Sequence, residues 1–120
     1  MVCKSTCWMD ICSFRSSGPN WPAGGEIDII EGVNDYTNNQ ATLHTNPGCT
    51  MSSTNSATLG ISGSALGGTD CSASNTGNAG CGIRANTNNS FGAGFNANGG
   101  GVYASKHSYI REKSCLIICV

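Results

Sequence analysis

An all-β fold is the expectation, and three observations carry it. Glu26-Ile27-Asp28-Ile29-Ile30-Glu31 sets β-branched residues between acids, with Gly24-Gly25 before it and Gly32 after it. Side chains stiff at χ1, bounded by glycines, favour a short extended segment. Ala41-Thr42-Leu43-His44-Thr45 alternates apolar and polar residues with the period of a half-buried strand. Gly, Ser, Thr and Asn dominate elsewhere, as in turn-rich all-β proteins.

At 120 residues the chain is one domain or a piece of one. A net charge of −1 with only 11% charged residues argues against a nucleic-acid partner. No apolar run reaches the length of a membrane span. Eight cysteines point to an oxidising compartment.

Residues 1–17 place Cys3, Cys7 and Cys12 among Lys4, Asp10 and Arg15, with no apolar stretch long enough for a signal peptide. The cysteine spacing has no histidine nearby and fits no zinc pattern. Residues 18–25 read as a loop, being rich in proline and glycine. Trp21 within it has two readings, core residue or exposed aromatic platform. A lone tryptophan is usually buried, but the loop around this one favours the platform.

The acid strand poses a problem of phase. Side chains alternate faces along a strand, so a regular one would put Glu31 with Ile27 and Ile29, away from Glu26 and Asp28. One extra residue in a β-bulge restores the phase. A bulge near Ile29-Ile30 is therefore expected, with Glu26, Asp28 and Glu31 on one face and the isoleucines in the core. Three acids in a row repel and raise one another's pKa. A structural explanation is a solvated edge strand, which blunts aggregation. The chemical explanation is a retaining glycosidase, which needs a nucleophile and a proton donor with carboxyls about 5–5.5 Å apart. Two glutamates about four strand steps apart, at ~3.3 Å each, are about 13 Å apart at Cα. Long side chains leaning together across Asp28 close most of that gap, and nearby negative charge keeps one glutamate protonated.

Residues 37–47 read as a loop and then a strand. Alternation puts Thr42 and His44 on one face and Leu43 on the other. As the neighbouring antiparallel strand it brings His44 opposite the carboxylates. A lone histidine is more often structural, but beside three acids it can donate a hydrogen bond and help set protonation states. Residues 48–90 are poor in hydrophobes and read as a long surface excursion pinned by one disulfide. Cys49, Cys71 and Cys81 lie there, and spacing cannot choose among their pairings. The glycines of this region fit no phosphate-binding pattern. Asn88-Asn89-Ser90 is the single N-glycosylation acceptor pattern.

Trp21-Pro22-Ala23-Gly24-Gly25-Glu26-Ile27-Asp28-Ile29-Ile30-Glu31-Gly32 resembles the signature of glycoside hydrolase family 16, in its laminarinase-like branch. Asn38-Asn39-Gln40-Ala41-Thr42-Leu43-His44-Thr45 is similar to fungal endo-1,3(4)-β-glucanases of that family. The resemblance implies a fragment of a concanavalin A-like β-jelly-roll sandwich with a sugar cleft, acting by retention. It makes Glu26 the nucleophile, Glu31 the acid/base, Asp28 the assisting carboxylate and Trp21 a stacking platform. Trp21 and His44 are the expected substrate-binding residues. It implies a β-glucan polysaccharide partner, a monomer, and secretion of the parent enzyme; no cofactor, no metal site, and no nucleic-acid or membrane partner are expected, with calcium binding left open.

Residues 91–104 again resemble the family, leading towards a core strand, with Phe95 and Asn96 either near the cleft or, for Phe95, in the core. The match stops after Ala104. Five of the six Lys and Arg residues and five of the eight cysteines lie in 1–17 or 105–120, whereas five of the seven acids lie between. Composition thus changes where the resemblance ends. The expected organisation is a partial catalytic domain, 18–104, between flanks foreign to it, as in a truncated β-glucanase. Two other readings stay open: a non-catalytic β-glucan-binding remnant using Trp21, and a small cysteine-rich protein in which the acids are incidental.

Overall fold

The computed structural model describes residues 11–110 and 113–119, with side chains described for 13–105. Cys3 and Cys7 lie outside the described residues. Strands β1 (Ile11–Ser17), β2 (Glu26–Val33), β3 (Gln40–His44), β4 (Ser64–Leu66) and β5 (Cys81–Arg84) form one sheet, in the order β1-β2-β3-β5-β4. Every neighbouring pair is antiparallel. Strands β6 (Ala104–Ile110) and β7 (Lys113–Cys119) form a separate hairpin. Two short helices, α1 (Ser56–Leu59) and α2 (Gly92–Ala97), complete the elements, and no described helix is long and apolar enough to cross a membrane. The all-β expectation holds.

The isoleucine-acid stretch is extended, and the bulge falls where the phase required it. Pairing with β3 runs Glu26↔His44, Ile27↔Leu43 and Asp28↔Thr42, then jumps to Glu31↔Gln40. Three steps on β2 therefore meet two on β3, and the surplus lies at Ile29-Ile30. Pairing with β1 also shifts there, between Phe14↔Ile30 and Arg15↔Asp28. Beyond the bulge Gly32 passes under the Phe91 ring. A Cβ at residue 32 would sit 2.6 Å from that ring, so only glycine lets the strand run so close.

Residues 11–17 were expected to stand outside the domain, yet β1 pairs along β2 from Ile11↔Val33 to Ser17↔Glu26. Pairing needs only an extended backbone beside an open edge, and the loop 18–25 returns the chain at the right place. Gly18 N–H closes that loop on the Gly25 carbonyl at 2.9 Å. Residues 48–90 are likewise more than an excursion, since they supply α1, β4 and β5, with β5 inside the sheet. Cys81-Gly82-Ile83-Arg84 has one β-branched residue, too weak a local preference to read as a strand. Residues 105–110 and 113–119, also expected to be foreign, contribute most of the β6–β7 hairpin.

Among the described residues the buried apolar ones are Ile29, Cys71, Ala73, Cys81 and Phe91. Of the strand's isoleucines only Ile29 is buried; Ile27 and Ile30 are half-buried, so the expected isoleucine core is only partly formed. Cover gathers instead at the two ends of β3. At one end Cys71 and Cys81 are joined, with Ala73 N–H bonded to the Thr45 carbonyl at 3.0 Å. At the other, Phe91 N–H reaches the Thr37 carbonyl at 3.1 Å. The disulfide resolves the open pairing: Cys71 takes Cys81, and Cys49 is free and exposed. Phe95 stacks on Tyr103, with ring centres 5.2 Å apart.

Candidate active site

The bulged strand presents acids, and β3 answers each with a polar residue. Period-two alternation places Gln40, Thr42 and His44 on one face of β3, opposite Glu31, Asp28 and Glu26 in turn. His44 Nε2 lies 3.1 Å from Asp28 Oδ2. Thr42 Oγ1 donates to Glu31 Oε2 at 2.5 Å, and Gln40 Nε2 donates to the same oxygen at 3.2 Å. Gln40 Nε2 also reaches Thr42 Oγ1 at 3.1 Å, so the three side chains form one network. Glu26, Asp28, Glu31 and His44 therefore share a face, as the alternation and the bulge required.

This face is polar and nonetheless partly buried. Asp28 is 4% exposed, Thr42 2% and His44 6%. Burial is the main cause that pushes the Asp28 carboxyl above its ordinary value of 3.8, and the Glu26 and Glu31 charges push it further. His44 and Arg15 pull the other way. The carboxyl raised by its neighbours is thus the middle one. His44 Nδ1 is buried with no hydrogen-bond partner, so Nε2 is the nitrogen that engages a carboxylate. Gly80 packs against that ring, where a Cβ would meet Nδ1 at 2.9 Å.

One donor atom from each of Glu26, Asp28 and His44 lies within 4.8 Å of the others, a spacing that a divalent cation could bridge. The Asp28–His44 contact accounts for one of those three spacings. Trp21 stands apart, in the loop before β2, and is 47% exposed. It is therefore not a core residue.

Sequence reasoning passed over several residues at this site. Gln40 continues the alternation of Thr42 and His44 by one more period, so extending the strand by one residue would have found it. Arg84 donates to Gln40 Oε1 at 3.3 Å and lies 4.9 Å from the centre of the Tyr36 ring. Those partners come from distant parts of the chain and leave no local signal. Arg15 Nε lies 3.9 Å from Glu26 Oε2, but its side chain is largely exposed and the pair is weak. Asn39 is 3% exposed and bonds to the bulge itself, accepting from Glu31 N–H at 3.1 Å and donating to the Ile29 carbonyl at 2.9 Å.

The sequence matches the family model for the XgeA-like catalytic domain of glycoside hydrolase family 16 over residues 6–111. A probable glycosidase of Schizosaccharomyces pombe is 48% identical over 93 residues, 76% of this chain and 21% of that protein. A probable endo-1,3(4)-β-glucanase of Aspergillus flavus is 46% identical over 92 residues, 77% of this chain and 13% of that protein. The chain thus spans about a fifth or less of the length of these curated relatives. Laminarinase 16A from Phanerochaete chrysosporium, solved with 6-O-glucosyl-laminaritriose in its donor and acceptor sites, superposes with a TM-score of 0.68 at 43% identity. That likeness covers 80% of this chain and 30% of the laminarinase, making the sheet described above a portion of the family's jelly roll. With the match running through nearly the whole sequence, the chain belongs to glycoside hydrolase family 16.

Proposed function

We propose that this chain carries the catalytic segment of an endo-acting hydrolase of 1,3- and 1,3-1,4-β-glucans that works with retention. One observation carries the reading: the bulge turns Glu31 onto the face of Glu26 and Asp28. Glu26 attacks the anomeric carbon as its carboxylate while Glu31 protonates the departing glycosidic oxygen. The resulting glycosyl ester of Glu26 is then cleaved by a water that Glu31 deprotonates. Asp28, pushed up by burial and set between the glutamates, takes a hydrogen more readily than an ordinary carboxyl. It thereby limits the negative charge packed at the site, with His44 fixing its orientation at 3.1 Å. The bound glucan of the laminarinase neighbour and the names of the fungal relatives support the substrate class.

The test is release of reducing ends from laminarin or lichenan by the purified chain, beside Glu26→Gln and Glu31→Gln. Each substitution is expected to cost about a hundredfold or more in kcat. Equal release by all three proteins removes these glutamates from the mechanism.

The exposure of Trp21 favours a second reading, a β-glucan-binding segment without turnover. It predicts retention on insoluble β-1,3-glucan that Trp21→Ala abolishes, with no reducing ends released. Turnover by the unsubstituted chain excludes it.

A further inference from the structure

A bulge that aligns three acids also leaves backbone groups without a partner strand. Pairing with β3 skips from Asp28↔Thr42 to Glu31↔Gln40, so neither Ile29 nor Ile30 has a residue of β3 opposite it. The Ile29 carbonyl and the Glu31 N–H point the same way, two residues apart, as on any strand. Left bare in a buried place, such groups are costly.

Asn39 fills the place of the missing partner. Its Nδ2 donates to the Ile29 carbonyl at 2.9 Å and its Oδ1 accepts from Glu31 N–H at 3.1 Å. A primary amide presents one donor and one acceptor side by side, as a strand residue presents its own N–H and C=O. Asn39 is itself fixed. Its N–H donates to Ser90 Oγ at 2.9 Å, and its carbonyl accepts from Ala85 N–H at 2.9 Å. Ser90 is fully buried and donates onward to the Thr87 carbonyl at 2.7 Å. Each nitrogen and oxygen of Asn39 therefore has a partner.

We propose that Asn39 is the positioning residue of the acid row: its side-chain amide substitutes for a strand partner at the bulge and holds Glu31 in phase with Glu26 and Asp28. Without it, the repair open to β2 is a slip of one residue into regular pairing. A one-residue slip turns every later side chain to the other face, which sends Glu31 among the isoleucines. The role assigned to Glu31 rests on the glucanase reading; the clamp does not.

The experiment is amide hydrogen exchange by NMR on the full chain, with Asn39→Ala and Asn39→Asp, alongside glucan hydrolysis. In Asn39→Ala, Glu31 N–H is expected to lose about tenfold or more of its protection, while Ile27 and Leu43 amides keep theirs. Hydrolysis is expected to fall in kcat with little change in KM. Should Asn39→Ala not fold, Asn39→Asp decides. When protonated, the introduced carboxyl again offers one donor and one acceptor. The Glu31 amide resonance is then expected at its native position in acid and displaced near neutrality. An unchanged Glu31 amide in both variants, or a loss of protection spread evenly over the sheet, overturns the proposal. If the unsubstituted chain fails to hydrolyse glucan while Glu31 N–H still follows Asn39, the glucanase reading fails and the clamp stands.

Discussion

On one face of the β2–β3 pair stand Glu26, Asp28, Glu31, Gln40, Thr42 and His44; on the other stand Ile27, Ile30, Ala41 and Leu43. The polar face is the better covered of the two, with Asp28, Thr42 and His44 all buried. Of the apolar side chains Ile29 is buried, whereas Ile27, Ile30, Ala41 and Leu43 are half-buried. In most sandwich sheets the apolar face is closed and the polar one is wet. Here the order of the site comes from cross-strand hydrogen bonds among short, rigid side chains. Thr42 and Asn39 do for this face what packed isoleucines would do for a core.

Substitutions on either face sharpen that contrast. Thr42→Val keeps the shape but removes the donor to Glu31 Oε2 and the acceptor for Gln40. It should cost about 1–3 kcal/mol in a denaturant titration, with a fall in kcat. Leu43→Ala, one residue along on the open face, removes half of what a fully buried leucine contributes, about 1 kcal/mol. Its kcat should stay within about twofold of the unsubstituted chain, since nothing on the acid face changes. A larger stability loss from Leu43→Ala than from Thr42→Val would reverse the comparison.

The smallest effect is one of pH. The folded chain raises the Asp28 carboxyl above its ordinary 3.8, so folding favours the protonated form. That contribution is fully present below pH 3.8 and is lost as pH rises through the raised folded-state value. Asp28→Asn removes a carboxylate that is costly to bury. It should therefore be more stable than the unsubstituted chain near neutral pH, with the gap closing in acid. Urea midpoints at the two conditions check this, and a gap that widens in acid would contradict it.

Much of this site was legible in the sequence because strand periodicity and residue chemistry conflict there. Three acids spaced by isoleucines cannot share a face on a regular strand, and the conflict itself located the bulge. His44 followed from simple alternation. The remainder depended on partners distant in the chain. Asn39 is one asparagine among many, and only the register jump opposite it gives its amide a task. Strand β1 mixes cysteine, arginine and serine without clear alternation, and is extended because β2 offers it an edge. Helix α2 is built from Gly-Ala-Gly-Phe-Asn-Ala, poor helix formers overall, so its shape comes from the turns on either side.

The pair of donors on a single oxygen of Glu31 has a geometric corollary. Thr42 and Gln40 both donate to Oε2, which leaves Oε1 as the oxygen that would carry the proton in the proposed mechanism. A carboxyl gripped along one edge can hand over its proton only from the other. In the proposed mechanism, the side from which a departing sugar oxygen meets Glu31 is set by the weave of two neighbouring strands, before any carbohydrate arrives.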